Sequence, residues 1–313
     1  PSQNTSLTLK LHHFYTDIKQ APQQLFDLYW NRWPGYQEDS SGVYTGTIDD
    51  DNYNPAQEYY YTGFTTAPDY YPVYHYRRTA YTSLGFDIIN QMDKHNQIKA
   101  GGEYRFNRLK WDDKQFFNVR PYGEKYEVNP NYAAFYLQDK MEFKDVIVNA
   151  GLRLDYLDAD IDYWNDPVTK EYKIHTRAKT QLSPRLGISH PISDQTVIHF
   201  SYGYYFQVPP YQYMFTNLQA DLSTGYPIVG DPDMEAEKSI SYELGINQVL
   251  SRDITLKITT YYKDLTNLAS TREVVYTGGS YTRFINADHG TAKGVDVILT
   301  KPPAYNHFSG SVN

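Results

Sequence analysis

Two sets of residues in this chain have the chemistry to meet a solute. Eight charged residues fall on alternate positions of short segments: Glu103, Arg105, Lys140, Arg153, Asp155, Arg185, Glu243 and Asp296. Ten aromatics gather between such segments: Trp30, Trp33, Tyr59, Tyr60, Tyr61, Tyr70, Tyr71, Tyr211, Tyr213 and Phe215. The charges can line a polar wall and hydrogen-bond across it. The rings can stack on flat or hydrophobic faces of a ligand, or pack their own loops together. For any single tyrosine, packing is the simpler reading.

Catalytic chemistry finds no comparable set. The nine histidines form no H-E-x-x-H, and no G-x-S-x-G or phosphate-binding loop occurs. His199 lies on a polar strand face, where a hydrogen-bonded structural histidine is the plainer reading. Asp158-x-Asp160-x-Asp162 has the carboxylate spacing of a calcium loop. That loop requires Gly at its sixth place and Glu at its twelfth, where Tyr163 and, in rough register, Lys170 stand. A solvated acidic loop is expected there. The chain is therefore read as non-enzymatic, without metal or cofactor. A rim-active hydrolase remains as an alternative, which would need a complete, even-stranded barrel.

The elements that position these groups are strands. Between Thr196 and Phe206, Ile198, Phe200, Tyr202 and Tyr204 alternate with His199, Ser201 and Gly203. Strand side chains alternate faces, so one face is apolar and the other small or polar. About eleven segments share this pattern, near ten residues each, the length of a tilted bilayer crossing. Short turns at 93–96, 144–145, 191–194, 251–253 and 301–303 alternate with long loops at about 16–77, 111–130, 157–180, 208–236 and 264–288. That asymmetry is expected of an antiparallel transmembrane β-barrel with brief turns on one side and extended loops outside. The aromatics Tyr104, Phe106, Tyr156, Tyr204, Phe206 and Tyr262 sit at loop-proximal strand ends, as an interfacial girdle does. Asp139 is an exception, a carboxylate on the apolar face. A soluble sandwich or propeller would alternate too, but would not need all its long connections on one side.

Composition agrees. Tyrosine reaches 33 residues and cysteine is absent, so no disulfide or thiolate site exists. The net charge of −8, with signs interspersed, argues against nucleic acid as a partner. No run approaches the roughly 18 apolar residues of a membrane helix. Pro1 opens in polar sequence and His307 to Asn313 reads as a strand cut midway, so the chain is expected to be part of a longer one.

Several short motifs carry a family resemblance: Leu182-Ser-Pro-Arg-Leu-Gly187, Phe200-Ser-Tyr-Gly203 with Pro209-Pro210, Tyr242-Glu-Leu-Gly245, Gly294-Val-Asp-Val297 and Tyr132-Ala-Ala-Phe-Tyr-Leu-Gln-Asp-Lys140. Together, from about Arg78 onward, the chain resembles the barrel of TonB-dependent outer-membrane receptors, particularly the Bacteroidota type, in its C-terminal barrel portion. The resemblance implies a 22-stranded barrel of which this is a fragment, and residence in the bacterial outer membrane. It implies a plug domain elsewhere in the same full-length chain, coupling to the TonB complex, and active uptake of a scarce solute. A siderophore, cobalamin, oligosaccharide or peptide would all serve. The expected partners are the lipid bilayer, the plug, the TonB complex and an extracellular ligand. This chain shows no plug and no TonB-contacting box. A passive porin or surface-binding barrel without TonB coupling is the alternative.

Overall fold

The computed structural model describes residues 4–20, 37–38, 44–45, 73–115, 122–223, 227–251, 254–301 and 310–312. Ten long strands form its wall: β1 (Thr5–Gln20), β4 (Val73–Gln91), β5 (Asn96–Gln115), β7 (Asn131–Glu142), β8 (Ile147–Asp158), β11 (Lys179–Ser193), β12 (Thr196–Gln207), β14 (Glu237–Ser251), β15 (Ile254–Tyr276) and β16 (Gly279–Lys301). They pair in that order as an antiparallel meander, and a short eleventh, β17 (Gly310–Val312), pairs with β16. Among the described residues β1 and β17 do not pair with each other, so the sheet is an open barrel wall.

One end of the wall carries tight turns. At 92–95 the Asp93 carboxylate accepts the His95 and Asn96 backbone N–H groups at 2.7 and 2.8 Å, an Asx turn that returns the chain. The other end carries most of the additional structure. β6 (Tyr122–Val128) folds back on β5. β9 (Asp162–Trp164) pairs with β10 (Lys173–His175). A one-turn helix, α1 (Tyr211–Phe215), precedes β13 (Ile228–Val229), which lies parallel to β16. Two residue pairs, β2 (Gln37–Glu38) and β3 (Tyr44–Thr45), form a separate ladder.

The expected fifth loop at 264–288 is instead a hairpin, with strands of 23 residues on each side of Thr277 and Gly278. The alternation misled because the register shifts twice, between Leu265 and Leu268 and between Leu268 and Ala269. Each shift inserts one residue and reverses which side chains face which way. At about 3.4 Å per residue these strands run roughly 75 Å, far beyond what a tilted bilayer crossing needs. β4 and β5 likewise each extend five residues into the expected loops.

Register assigns the faces. Leu9, Phe86, Gly102, Phe135, Leu154 and Leu182 are direct cross-strand partners from β1 to β11. Ile188, Phe200, Leu244, Thr260 and Val295 continue that face to β16. On the reverse face Lys10, Gly85, Glu103, Ala134, Asp155 and Gln181 form the corresponding row. Among the described residues the apolar face has no second layer. Leu9 is 75% exposed, and Leu84, Leu137, Leu152, Leu244 and Val295 are each at least half exposed. Leaving such side chains in water forgoes about 1.5–3 kcal/mol apiece, so hydrocarbon is the natural cover for this band. Tyr202 stands 5.1 Å from Tyr242, which lies 6.4 Å from Tyr262, so aromatics meet across three strands. Phe206, expected in the girdle, packs partly against a buried loop cluster. Asp139 does face the apolar side, between Ile98 and Ala150, three residues from the turn end of β7. One of its oxygens is buried without a partner, and nothing in the structure explains its place there.

The polar face is close-fitted where rings lie over glycines. His199 is opposite Gly245, and a Cβ placed on that glycine would come within 2.2 Å of the imidazole. In the full-length protein, Gly245→Val is expected to cost about 1–3 kcal/mol through overpacking. The denaturant midpoint of unfolding should therefore fall. Adding His199→Ala should recover most of the loss; recovery failing to appear would refute the fit.

Candidate functional site

The eight charges singled out in the sequence share one face. Each is placed there by a cross-strand partner from the same row: Glu103 opposite Gly85, Arg105 opposite Ser83, Lys140 opposite Asn149, Arg153 opposite Tyr136, Asp155 opposite Ala134, Arg185 opposite Gly203, Glu243 opposite Ser201 and Asp296 opposite Thr259. Several neutralise each other along a strand, at the two-residue spacing that puts both on one face. Arg105 reaches Glu103 at 2.8 Å, Arg153 reaches Asp155 at 3.0 Å, and Lys140 pairs with Glu142. Tyr132 donates to Asp155 at 2.7 Å and accepts from Arg153 at 2.9 Å, closing a three-residue network. Lys10 pairs with Asp87, which also accepts the Tyr136 hydroxyl at 2.6 Å. Strand-borne charge is thus mostly compensated within the wall.

At the loop end this face becomes apolar. Leu109 and Leu157 stand in phase with Arg105 and Asp155, and with Tyr126, Val128, Ala159, Met214, Phe215 and Met234 they build the main buried cluster among the described residues. Pro210 before α1 and Pro209 before it keep the entry extended, so the helix begins abruptly and turns Met214 and Phe215 inward. Phe215 is fully buried, with Tyr211 stacked on it at 5.7 Å and Tyr126 tilted against it at 6.0 Å. Phe215 therefore packs the loop. Tyr213 stacks on Phe284 of β16 at 4.6 Å and Tyr211 is half-buried. Burial pushes the Tyr211 hydroxyl up to about 12. Trp30, Trp33, Tyr59, Tyr60, Tyr61, Tyr70 and Tyr71 lie outside the described residues.

Ion pairs lock the loops to this cluster. Asp233 accepts the Arg177 backbone N–H at 2.9 Å and its guanidinium at 2.7 and 2.9 Å. Lys179, itself buried, lies 3.1 Å from Asp233 and 2.9 Å from Glu235. Burial raises the Asp233 carboxyl, but the Arg177 bonds and Lys179 outweigh it and hold it below its ordinary value. Asp113 joins His75 at 2.9 Å and Arg77 at 2.5 Å, and the Arg77 guanidinium lies 3.7 Å over Trp111. None of Tyr126, Arg177 or Asp233 stood out in the sequence, and Trp111 did so only as a tryptophan at a strand end. The one available signal was the pairing of Arg177-Ala-Lys179 with Asp231-Pro-Asp233, two oppositely charged x-spaced doublets.

The aspartates of the calcium-like segment are spread over separate bonds. Asp158 accepts the Tyr156 hydroxyl at 3.0 Å and the Asp160 N–H at 3.0 Å, while Asp162 meets His175 at 2.9 Å. Among the described residues no three ligand-type groups converge as a metal site.

Comparison with known proteins bears on what this wall belongs to. A family model described as "TonB dependent receptor-like, beta-barrel" matches residues 2–312. No curated protein matches the chain in sequence. Among solved structures, the copper transporter OprC aligns with a TM-score of 0.62 at 12% identity, over 96% of this chain and 42% of its own. The FrpB iron transporter from Neisseria meningitidis (F3-3 variant) aligns at 0.55 and 14% identity, over 74% and 34%. The ferric yersiniabactin uptake receptor FyuA from Yersinia pestis aligns at 0.53 and 14%, over 74% and 34%. The chain spans less than half the length of each of these structures. At such identities the likeness is one of fold.

Two outcomes follow from the loop geometry. Asp233→Asn removes the charge that holds Arg177 and Lys179, a loss of about 1–3 kcal/mol. Trypsin cleavage after those two residues in the full-length protein should accelerate roughly tenfold, with cleavage elsewhere unchanged. The Asp162 hydrogen bond and charge raise the His175 imidazole above its ordinary 6.5. Its ion pair is therefore complete below 6.5 and lost as pH rises through the elevated value. Histidine-ring NMR should show that titration, and Asp162→Asn should return it toward 6.5.

Proposed function

The chain belongs to the TonB-dependent receptor-like β-barrel family, and from that premise we propose that it forms part of the wall of an outer-membrane active transporter. One observation carries the reading furthest. Across ten consecutive strands, with Asp139 as an exception, the register keeps apolar side chains on one exposed face and charged ones on the other. A wall between lipid and an aqueous or protein-filled lumen requires that division. The motif order of the sequence supports the narrower placement in a Bacteroidota-type receptor, as its C-terminal barrel portion in a 22-stranded barrel.

In this reading the full-length polypeptide adds a plug domain, and the compensated charges of the inner wall give that plug a hydrogen-bonding surface. Loops at the far end capture a scarce solute. Tyr211 and Tyr213, held on α1 against the mouth of the wall, are positioned for that, together with the aromatics of the first loop. Coupling to the TonB complex then moves the plug and releases the solute inward. Relatives of this fold are described as copper and iron transporters, and a metal chelate is the first solute class to test. The family is one of receptors and transporters.

The test is uptake by cells carrying the full-length protein, with and without TonB. Accumulation of a labelled iron or copper chelate should collapse without TonB while surface binding persists. Flux that ignores TonB would favour the passive porin. Tyr213→Ala should weaken surface binding about 2–12-fold, the loss expected when a stacked ring goes.

A further inference from the structure

We infer that the inner wall holds an anion site between β5 and β12, built on Lys99 and Arg185 and suited to a carboxylate or similar oxyanion. The inference rests on the polar face being the luminal one, as the proposed function has it. Register builds the site directly. Lys99, Gln138, Gly151 and Arg185 are successive cross-strand partners on β5, β7, β8 and β11. Lys99 and Arg185 are thus three strand spacings apart, about 14 Å, within joint reach of two long side chains. Between them lies a concavity of about 480 Å³, with Asn149, Ser201 and Tyr205 also on its lining.

Charge sets this place apart from the rest of the wall. From β1 to β11 the inward cations Lys10, Arg105, Lys140 and Arg153 each have a carboxylate partner. Among the described residues Lys99 and Arg185 have none, and no Asp or Glu lines the concavity. The acids beyond the rim are already engaged: Asp87 by Tyr136 at 2.6 Å, Asp155 by Arg153 at 3.0 Å, and Glu243 by Ser201 at 3.5 Å and Ser241 at 3.3 Å. The neighbouring concavity between β1 and β8 contrasts with it, because Asp87 and Glu103 there offset Lys10 and Arg105.

The site is also shaped for a planar anion. The Arg185 guanidinium lies over the Tyr205 ring at 4.8 Å, a cation–π contact that restrains it beside the concavity. A guanidinium so held matches a carboxylate in two parallel hydrogen bonds. Gly151 and Gly187 remove side chains from the floor, and a Cβ on Gly187 would meet only Asn149 at 3.8 Å. Gln138 and Asn149 supply neutral donors. The anion has two sources, an acidic side chain of the segment filling the lumen or an anionic solute in passage.

The experiment uses the purified full-length protein in detergent at low ionic strength, with citrate as the probe in calorimetric titration. If the site is open to solutes, the protein binds citrate, Lys99→Gln with Arg185→Gln weakens binding at least about tenfold, and Lys99→Arg with Arg185→Lys largely keeps it. If the polypeptide's own carboxylate fills the site, citrate does not bind. The urea midpoint at which the lumen-filling segment becomes protease-sensitive then falls in the glutamine pair and not in the charge-retaining pair. Either result supports the site. If neither citrate affinity nor that midpoint responds to the glutamine pair, the inference is overturned. TonB takes no part in either arm, so failure here is separable from failure of the transport reading.

Discussion

A backbone amide in hydrocarbon has no water to bond, so a strand there is tolerable only when a neighbour satisfies it on both edges. That requirement organises the whole wall. It forces an unbroken ladder from β1 to β16, and the ladder in turn fixes which residues stand side by side. Once the register is set, side-chain period two sorts every residue to oil or to lumen, with no freedom left. The exposed leucines of one face and the ion pairs of the other are two results of the same pairing.

The inner face answers a second difficulty, which is to carry charge in a confined space without strain. Pairs two residues apart on one strand, such as Arg153 with Asp155, cancel locally and draw in Tyr132 from the next strand. Higher up, where solvent is nearer, the wall turns apolar and the loops fold over it. There the buried Phe215 and Met214 anchor α1, while Asp233 ties the segment before β11 to the segment before β14. The mouth is therefore a built structure with its own small core, mounted on a wall that has none.

Much of this was legible beforehand. Alternation revealed the strands and their faces because it is strong wherever one side meets lipid, and the eight charges it grouped do share one face. The loops were less readable. Above the bilayer both sides of a strand meet water or protein, so alternation fades, and β15 and β16 ran on unnoticed past their bulges. The aromatic density of the loops announced packing or binding without separating the two. Phe215 proves to pack, and only tertiary contacts with Tyr126 and Leu157 show why. Arg177 with Asp233 joins residues 56 apart, which no local pattern encodes.

The rings laid over glycines also bear on how such a wall can diverge. Tyr136 covers Gly101, His199 covers Gly245 and Tyr261 covers Gly294, each pair facing directly across two strands. Bulk gained at either member must be surrendered by the other, so mutational drift here proceeds in coupled steps. Related walls should therefore preserve the summed volume of each pair more faithfully than the identity of either residue.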